Sequence, residues 1–147
     1  WWVVGRYIAD GSLNGGSAVQ LSAHPKDHPA IAQRFASLGM DWKVVSRSHS
    51  SADSVNIYNM GLVRWLREQF GHHSHHKSLP TWCLTMDPKW RQALLDGYLS
   101  GDGAEFVNHG QVCDGIGTAS KKLALSLGTL AQTLGYNVGY SKADINV

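Results

Sequence analysis

Apolar and polar positions along the chain separate into stretches with a helical period and stretches that alternate as strands do. Residues 2–10 are almost continuously apolar and predict a short buried helix that stops at Gly11. Asn14-Gly15-Gly16 marks a turn, and Ser17 to Ser22 alternates as a strand. Pro25 and Pro29 bracket a helix start, with Ala30 to Leu38 helical and Gly39 as the stop. Residues 42–48 and 54–59 predict two further strands. Met60 to Phe70 sets Leu62, Val63, Leu66 and Phe70 on one face of a helix that Gly71 ends. A His-rich loop and Leu79-Pro80-Thr81-Trp82 lead to a helix from about Pro88 to Gly101. Residues 104–118 read as strand-like pieces around turns, and Ser120 as the N-cap of a helix from Lys121 to Leu134. Residues 136–142 read as one more strand, and the pattern leaves a further strand near Gly11 unresolved.

Within this pattern one motif occurs twice: Val4-Gly5-Arg6-Tyr7-Ile8-Ala9-Asp10-Gly11 and Asp96-Gly97-Tyr98-Leu99-Ser100-Gly101-Asp102-Gly103. A long-period repeat implies a duplicated architecture. Gly5 and Ala9, like Gly97 and Gly101, are spaced to share one helix face, where small side chains let two backbones approach closely. Packing of those faces brings Asp10 and Asp102 together at the helix ends, each before a glycine expected in a left-handed cap. Two carboxylates and two negative helix ends then converge, which is costly without a counterion. Mg²⁺ resolves the conflict, since it prefers one or two carboxylates, waters and phosphate oxygens. Such a site activates water and stabilises the leaving oxygen in phosphodiester hydrolysis. A single Asp-Gly after an apolar helix is an ordinary stop; the second copy with matched spacing makes it a candidate site.

At 147 residues the chain fits one domain or two small halves sharing a core. A hydrophobic fraction of 43% against 16% charged points to a globular, soluble protein. No apolar run approaches a membrane span, and the opening Trp1-Trp2-Val3-Val4 is not built as a signal peptide, so no membrane partner is expected. Two cysteines, Cys83 and Cys113, form no disulfide framework, which favours a reducing, cytoplasmic location. The net charge of +2 alone does not mark a nucleic-acid binder. His72, His73, His75 and His76, with Cys83, raise a zinc reading, but the run lacks paired ligand spacing and suits a polar loop near DNA better. Trp42, Trp65, Trp82 and Trp90 are expected in the core or at its edge.

The two motifs resemble the signature helices of the LAGLIDADG homing endonucleases. Lys77-Ser78-Leu79-Pro80 resembles the Lys-x-Ile-Pro segment that precedes the second signature in the intein-borne branch. Ser120-Lys121-Lys122-Leu123-Ala124, running on to Leu134-Gly135-Tyr136, resembles the helix block that follows it. The resemblance implies a duplicated α-β-β-α-β-β-α fold, of class α+β with saddle-shaped antiparallel sheets, and cleavage of double-stranded DNA at a long site. It implies halves at 1–86 and 87–147, the second too short for its last strands and closing helix. It makes Asp10 and Asp102 catalytic ligands of Mg²⁺ (or Mn²⁺), with the carbonyls of Ala9 and Gly101 also facing the metals. Lys77 becomes the lysine that polarises the attacked phosphate or its water; Lys142 is a poor second-half counterpart. The branch also implies a flanking intein splicing domain as partner, whose nucleophile and terminal His-Asn this sequence does not display.

Sheets of this family lie along the DNA major groove, where base edges are distinguishable. Alternation assigns the faces. Val19, Leu21, Trp42, Val44, Val55 and Ile57 are expected inward, with Gln20, Ser22, Lys43, Arg47, Asn56 and Tyr58 outward as DNA contacts. Lys121 and Lys122, at a helix start, are expected near backbone phosphates. A non-cleaving DNA- or RNA-binding descendant is the alternative reading of the same residues.

Overall fold

Helix α1 (Trp2–Asp10) buries Val3, Val4, Tyr7 and Ile8 and runs directly into strand β1 (Ser12–Asn14). These come from a computed structural model that describes residues 1–46 and 48–141. Strand β1 settles the stretch after Gly11 that periodicity alone left open. Gly15 and Gly16, at φ +60° and +115°, turn the chain into β2 (Ala18–Ala23), a geometry that favours glycine. A 3-10 turn at Pro25–Asp27 leads into α2 (His28–Ala36), then β3 (Trp42–Val45), β4 (Asp53–Ile57) and α3 (Met60–Phe70). A second 3-10 turn at Thr81–Thr85 precedes α4 (Pro88–Asp102), β5 (Gly103–Asn108), β6 (Gln111–Ile116) and α5 (Lys121–Thr133). Polar caps fix the helix starts: Asn59 accepts from Leu62 N, Asp87 from Lys89 N and Ser120 from Leu123 N.

The class is α+β with antiparallel sheets. The larger sheet has the order β1-β2-β4-β3. Register aligns Ser12, Gln20, Asn56 and Lys43 in one polar row across all four strands. Val19, Leu21, Val55 and Ile57 occupy the opposite face and are buried, as alternation requires. Strands β5 and β6 form a separate hairpin. One core includes Tyr7, Leu21, Leu66, Leu94, Tyr98 and Leu127, so both expected halves share it.

The seam between α1 and α4 is reciprocal. A Cβ on Gly5 would land on the Leu94 carbonyl oxygen, and a Cβ on Gly97 on the Trp2 carbonyl oxygen. One on Gly101 would lie 2.7 Å from Ala9 Cβ. Gly5 matches Gly97, Trp2 matches Leu94 and Ala9 matches Gly101 under one constant offset in the sequence, so the contacts exchange as a two-fold axis would exchange them. Element order follows: α1-β1-β2-α2 is repeated as α4-β5-β6-α5.

Several expectations are corrected. Gly11 and Gly103 are extended (φ −75° and −73°) rather than left-handed, because each helix passes straight into a strand. Space holds these glycines: a Cβ on Gly11 would sit 2.6 Å from Tyr7 Cα, and one on Gly103 would meet the Leu99 carbonyl. Strand β3 ends at Val45, and Val44 is 39% exposed instead of buried. On this edge strand it is Trp42, 5.9 Å from the Phe35 ring, that reaches the core. Asn56, expected outward as a DNA contact, is 6% exposed. It lies on the polar face of the central strand, flanked on both sides, and its Oδ1 accepts from Ser54 Oγ at 2.7 Å. Residues 136–141 form no strand, and Lys142 lies outside the described residues. Trp82 and Trp90, expected in the core or at its edge, are both exposed (40% and 46%); Trp82 packs edge-on against Trp1, and Trp90 lies beside Lys89. No described helix is long and apolar enough to cross a membrane, and Cys83 and Cys113 are unbridged.

Candidate active site at the paired helix ends

The reciprocal seam delivers Asp10 and Asp102 to the same end of the two helices, where unpaired carbonyls make the local field negative. Burial pushes the Asp10 carboxyl above the usual carboxylate range; the Asp102 charge adds to this, and Arg6 and Lys77 oppose it. Asp102 is also raised by desolvation against Lys77 and Arg6, although its side chain lies on the exposed side.

Arg6, one helical turn before Asp10, is 5% exposed and pairs with Asp10 Oδ2 at 3.2 Å. Its guanidinium also donates to the Ser22 carbonyl of β2 and the Ser100 carbonyl of α4. It therefore ties three elements together behind the site. Sequence reasoning passed over Arg6; the available signal was a cation spaced to pair with Asp10 inside an apolar helix.

Lys77 is 4% exposed, and its Nζ donates to Tyr7 O at 2.6 Å and Gly11 O at 2.7 Å. It thus adds a second donor to the Tyr7 carbonyl, which already accepts from Gly11 N, and reaches the Gly11 carbonyl just past the end of α1. Burial pulls the ammonium down to about 8, despite the support of Asp10 and Asp102. The preceding turn places it. Gly71 at φ +76° starts the turn, and Tyr7 Oη donates to Gly71 O at 2.6 Å. The amides of His76 and Lys77 both donate to His73 O, and Ser78 N returns to Phe70 O.

Two clefts open at the seam. One, of about 250 Å³, is lined by Asp10, Gly11, His72, His73, Ser74 and Lys77 among others. The other, of about 430 Å³, is lined by Ala9, Asp102, Gly117 and Thr118 among others, and Ala9 and Ser74 border both. Of the residues named from the sequence, Asp10, Lys77 and Ala9 line one cleft, Asp102 and Ala9 line the other, and Gly101 lies in the seam; Arg6, His72 and His73 join the Asp10 side. Gln20 and Ser22 are half-buried, Lys43 and Tyr58 are exposed, and Lys121 and Lys122 are exposed on the first turn of α5. Arg47 lies outside the described residues.

The donor set suits a hard cation. Asp10 Oδ1 is buried with no hydrogen-bond partner among the described residues, so one carboxylate oxygen is paired to Arg6 and the other is buried without a partner. No three His, Cys, Asp or Glu side chains among the described residues converge as a metal cluster, which leaves coordination to two carboxylates, carbonyls, water and substrate oxygens. Burial raises the Cys83 thiol to about 12, far from the thiolate that zinc would take.

No family model matches the chain. It is 28% identical over 148 residues to an ATP-dependent DNA helicase of Thermococcus kodakarensis, covering 91% of this chain and 12% of that protein. It is 25% identical over 141 residues to iron-sulfur cluster assembly SufBD family proteins of Mycobacterium bovis and Mycobacterium tuberculosis, covering 91% of this chain and 17% of each. The chain therefore spans less than a fifth of the length of these relatives.

Proposed function

We propose that this chain is the cleavage core of a site-specific double-strand DNA endonuclease of the LAGLIDADG homing type, dependent on Mg²⁺ or Mn²⁺ and associated with an intein. One observation carries the reading: two reciprocally packed helices end in Asp10 and Asp102, each bordering a cleft, with Asp10 Oδ1 unpartnered. In this reading α1 to α3 form one α-β-β-α-β-β-α half within 1–86, and α4-β5-β6-α5 opens a second within 87–147. The relatives support a module with its own activity. A stretch matched in both a DNA helicase and iron-sulfur assembly proteins, and short against each, behaves as an insert rather than as part of either host's chemistry.

Asp10 and Asp102, with the carbonyls of Ala9 and Gly101, would hold the cations. When bound, the metal supplies an activated water and charge stabilisation for the leaving oxygen. Lys77 holds the α1 end in shape and keeps a positive charge behind both carboxylates. Gln20, Ser22, Lys43 and Tyr58 present the polar sheet face to base edges and phosphates. Lys121 and Lys122 add phosphate contacts, so affinity falls with salt.

The test is nicking and cleavage of a duplex library with Mg²⁺ by the wild type, Asp10→Asn and Asp102→Asn. Each variant should lose about 100-fold or more of the rate. Equal cleavage by all three sinks the site. The second reading, a non-cleaving DNA- or RNA-binding descendant, is favoured by Arg6 occupying Asp10 Oδ2; it predicts salt-sensitive binding with no cleavage in any of the three.

A further inference from the structure

We propose that the turn carrying His72 and His73 is a phosphate-binding wall of the Asp10 cleft, whose imidazole N–H groups hold a phosphodiester of duplex DNA beside the carboxylate. This rests on the DNA reading above and goes beyond it by assigning the contact to residues outside the repeated motifs. The two cations nearest Asp10 are largely committed within the fold. Lys77 is buried and donates to Tyr7 O and Gly11 O. Arg6 is buried between Asp10, the Ser22 carbonyl and the Ser100 carbonyl. Lys77 borders the cleft but commits two of its three N–H donors to those carbonyls, and Arg6 is engaged on three partners, so an anion arriving from solvent needs further donors.

His72 and His73, with the shorter hydroxyls of Ser12 and Ser74, supply the remaining side-chain donors lining that cleft. His72 is half-buried and His73 exposed, with ring centroids 4.1 Å apart and planes tilted by 38°. The turn beneath them is built rather than loose. His73 sits at φ +65°, and its carbonyl accepts from both His76 N and Lys77 N. Tyr7 Oη grips Gly71 O at the start of the turn, and Ser120 Oγ donates to Lys77 O at its end. The rings are therefore presented from a fixed backbone, which reduces the ordering cost of binding.

The chemistry suits a phosphodiester more than a metal. No third His, Cys, Asp or Glu among the described residues joins the pair in a metal cluster. An imidazole offers an N–H to a phosphate oxygen without the permanent charge of a lysine, which would close on Asp10 across the cleft. Burial, then His73, Arg67 and His76, push His72 toward its neutral form, in which one ring nitrogen still donates. Asp10 itself repels an anion, so the contact requires a cation at Oδ1 or a phosphate held on the His side of the cleft.

The experiment follows the imidazole resonances of the ¹⁵N-labelled chain as a mixed-sequence DNA duplex is added in Ca²⁺ buffer. His72→Ala and His73→Gly are measured for duplex affinity beside His75→Ala; glycine accepts the positive φ of position 73. Expected are shifts of the His72 and His73 rings, and affinity lower by about five- to tenfold in the two cleft variants, with His75→Ala within about twofold of wild type. If the duplex shifts amides of β2 and β4 but leaves these rings unmoved, the phosphate wall is overturned while DNA binding stands. If no resonance moves, the DNA reading fails and takes this site with it. Stoichiometric Zn²⁺ binding lost in either cleft variant, with duplex affinity unchanged, overturns it in favour of a metal site.

Discussion

The C-terminal ends of α1 and α4 meet through one reciprocal seam, yet their aspartates live in different surroundings. Asp10 is enclosed: Arg6 pairs with it from one turn back, Lys77 props the adjacent carbonyls, and a His-bearing turn walls its cleft. Asp102 lies on the exposed side. Where Arg6 stands in the first helix, the second has Tyr98, whose hydroxyl donates to Gly117 O at 3.3 Å and is pushed up to about 12 by burial and the Asp102 charge. The same short motif thus yields one carboxylate built into the fold and one left free for exchange with solvent ligands. Symmetric backbones fix where the acids sit; the residues between the motif positions fix how each is held.

The largest expected difference follows from that enclosure. Arg6→Met strands a half-buried carboxylate and two carbonyl acceptors, and should cost about 3–5 kcal/mol in urea unfolding. A loss under about 1 kcal/mol would show that Asp10 is not enclosed in the way described.

Next comes the pH dependence of Lys77. Its folded value of about 8 lies below the ordinary 10.5, so between these limits the unfolded chain binds more protons. Stability should therefore rise with pH across that window, by up to about 3 kcal/mol, and Lys77→Met should abolish the rise. The aspartates act in the opposite sense. Their values lie above 3.8 in the folded chain, so stability falls as pH rises just above that value.

Smaller effects probe the seam itself. Gly5→Ala and Gly97→Ala each force a methyl onto a backbone carbonyl, and should destabilise by similar amounts, about 2 kcal/mol. A large inequality in thermal unfolding would break the reciprocity. Smallest of all, Asp102→Asn should change stability by less than about 0.5 kcal/mol, in contrast to its expected effect on cleavage.

The sequence was most legible where periodicity and chain punctuation agree. Met60–Phe70 is the helix expected from its apolar face and Gly71, and Ser120 caps α5 as its side-chain chemistry suggests. The buried faces of β2 and β4 follow from alternation at Val19, Leu21, Val55 and Ile57. Legibility failed where neighbours in space decide. Asn56 alternates as an outward residue but is shielded by strands on both sides, and Val44 alternates as an inward one but lies on an edge. The caps at Gly11 and Gly103 were misjudged because the next element, not the helix, sets their dihedrals.

What the chain determined by itself is the paired small-residue spacing and the acid after each copy, since helical geometry turns that spacing into a face and an end. Only the tertiary structure decided that Arg6 and Lys77 face inward, that His72 and His73 border Asp10, and that the two acids are unequal. The reason is physical. A helical period is written in neighbouring residues, whereas burial, charge pairing and cleft walls depend on segments far apart in sequence meeting in space.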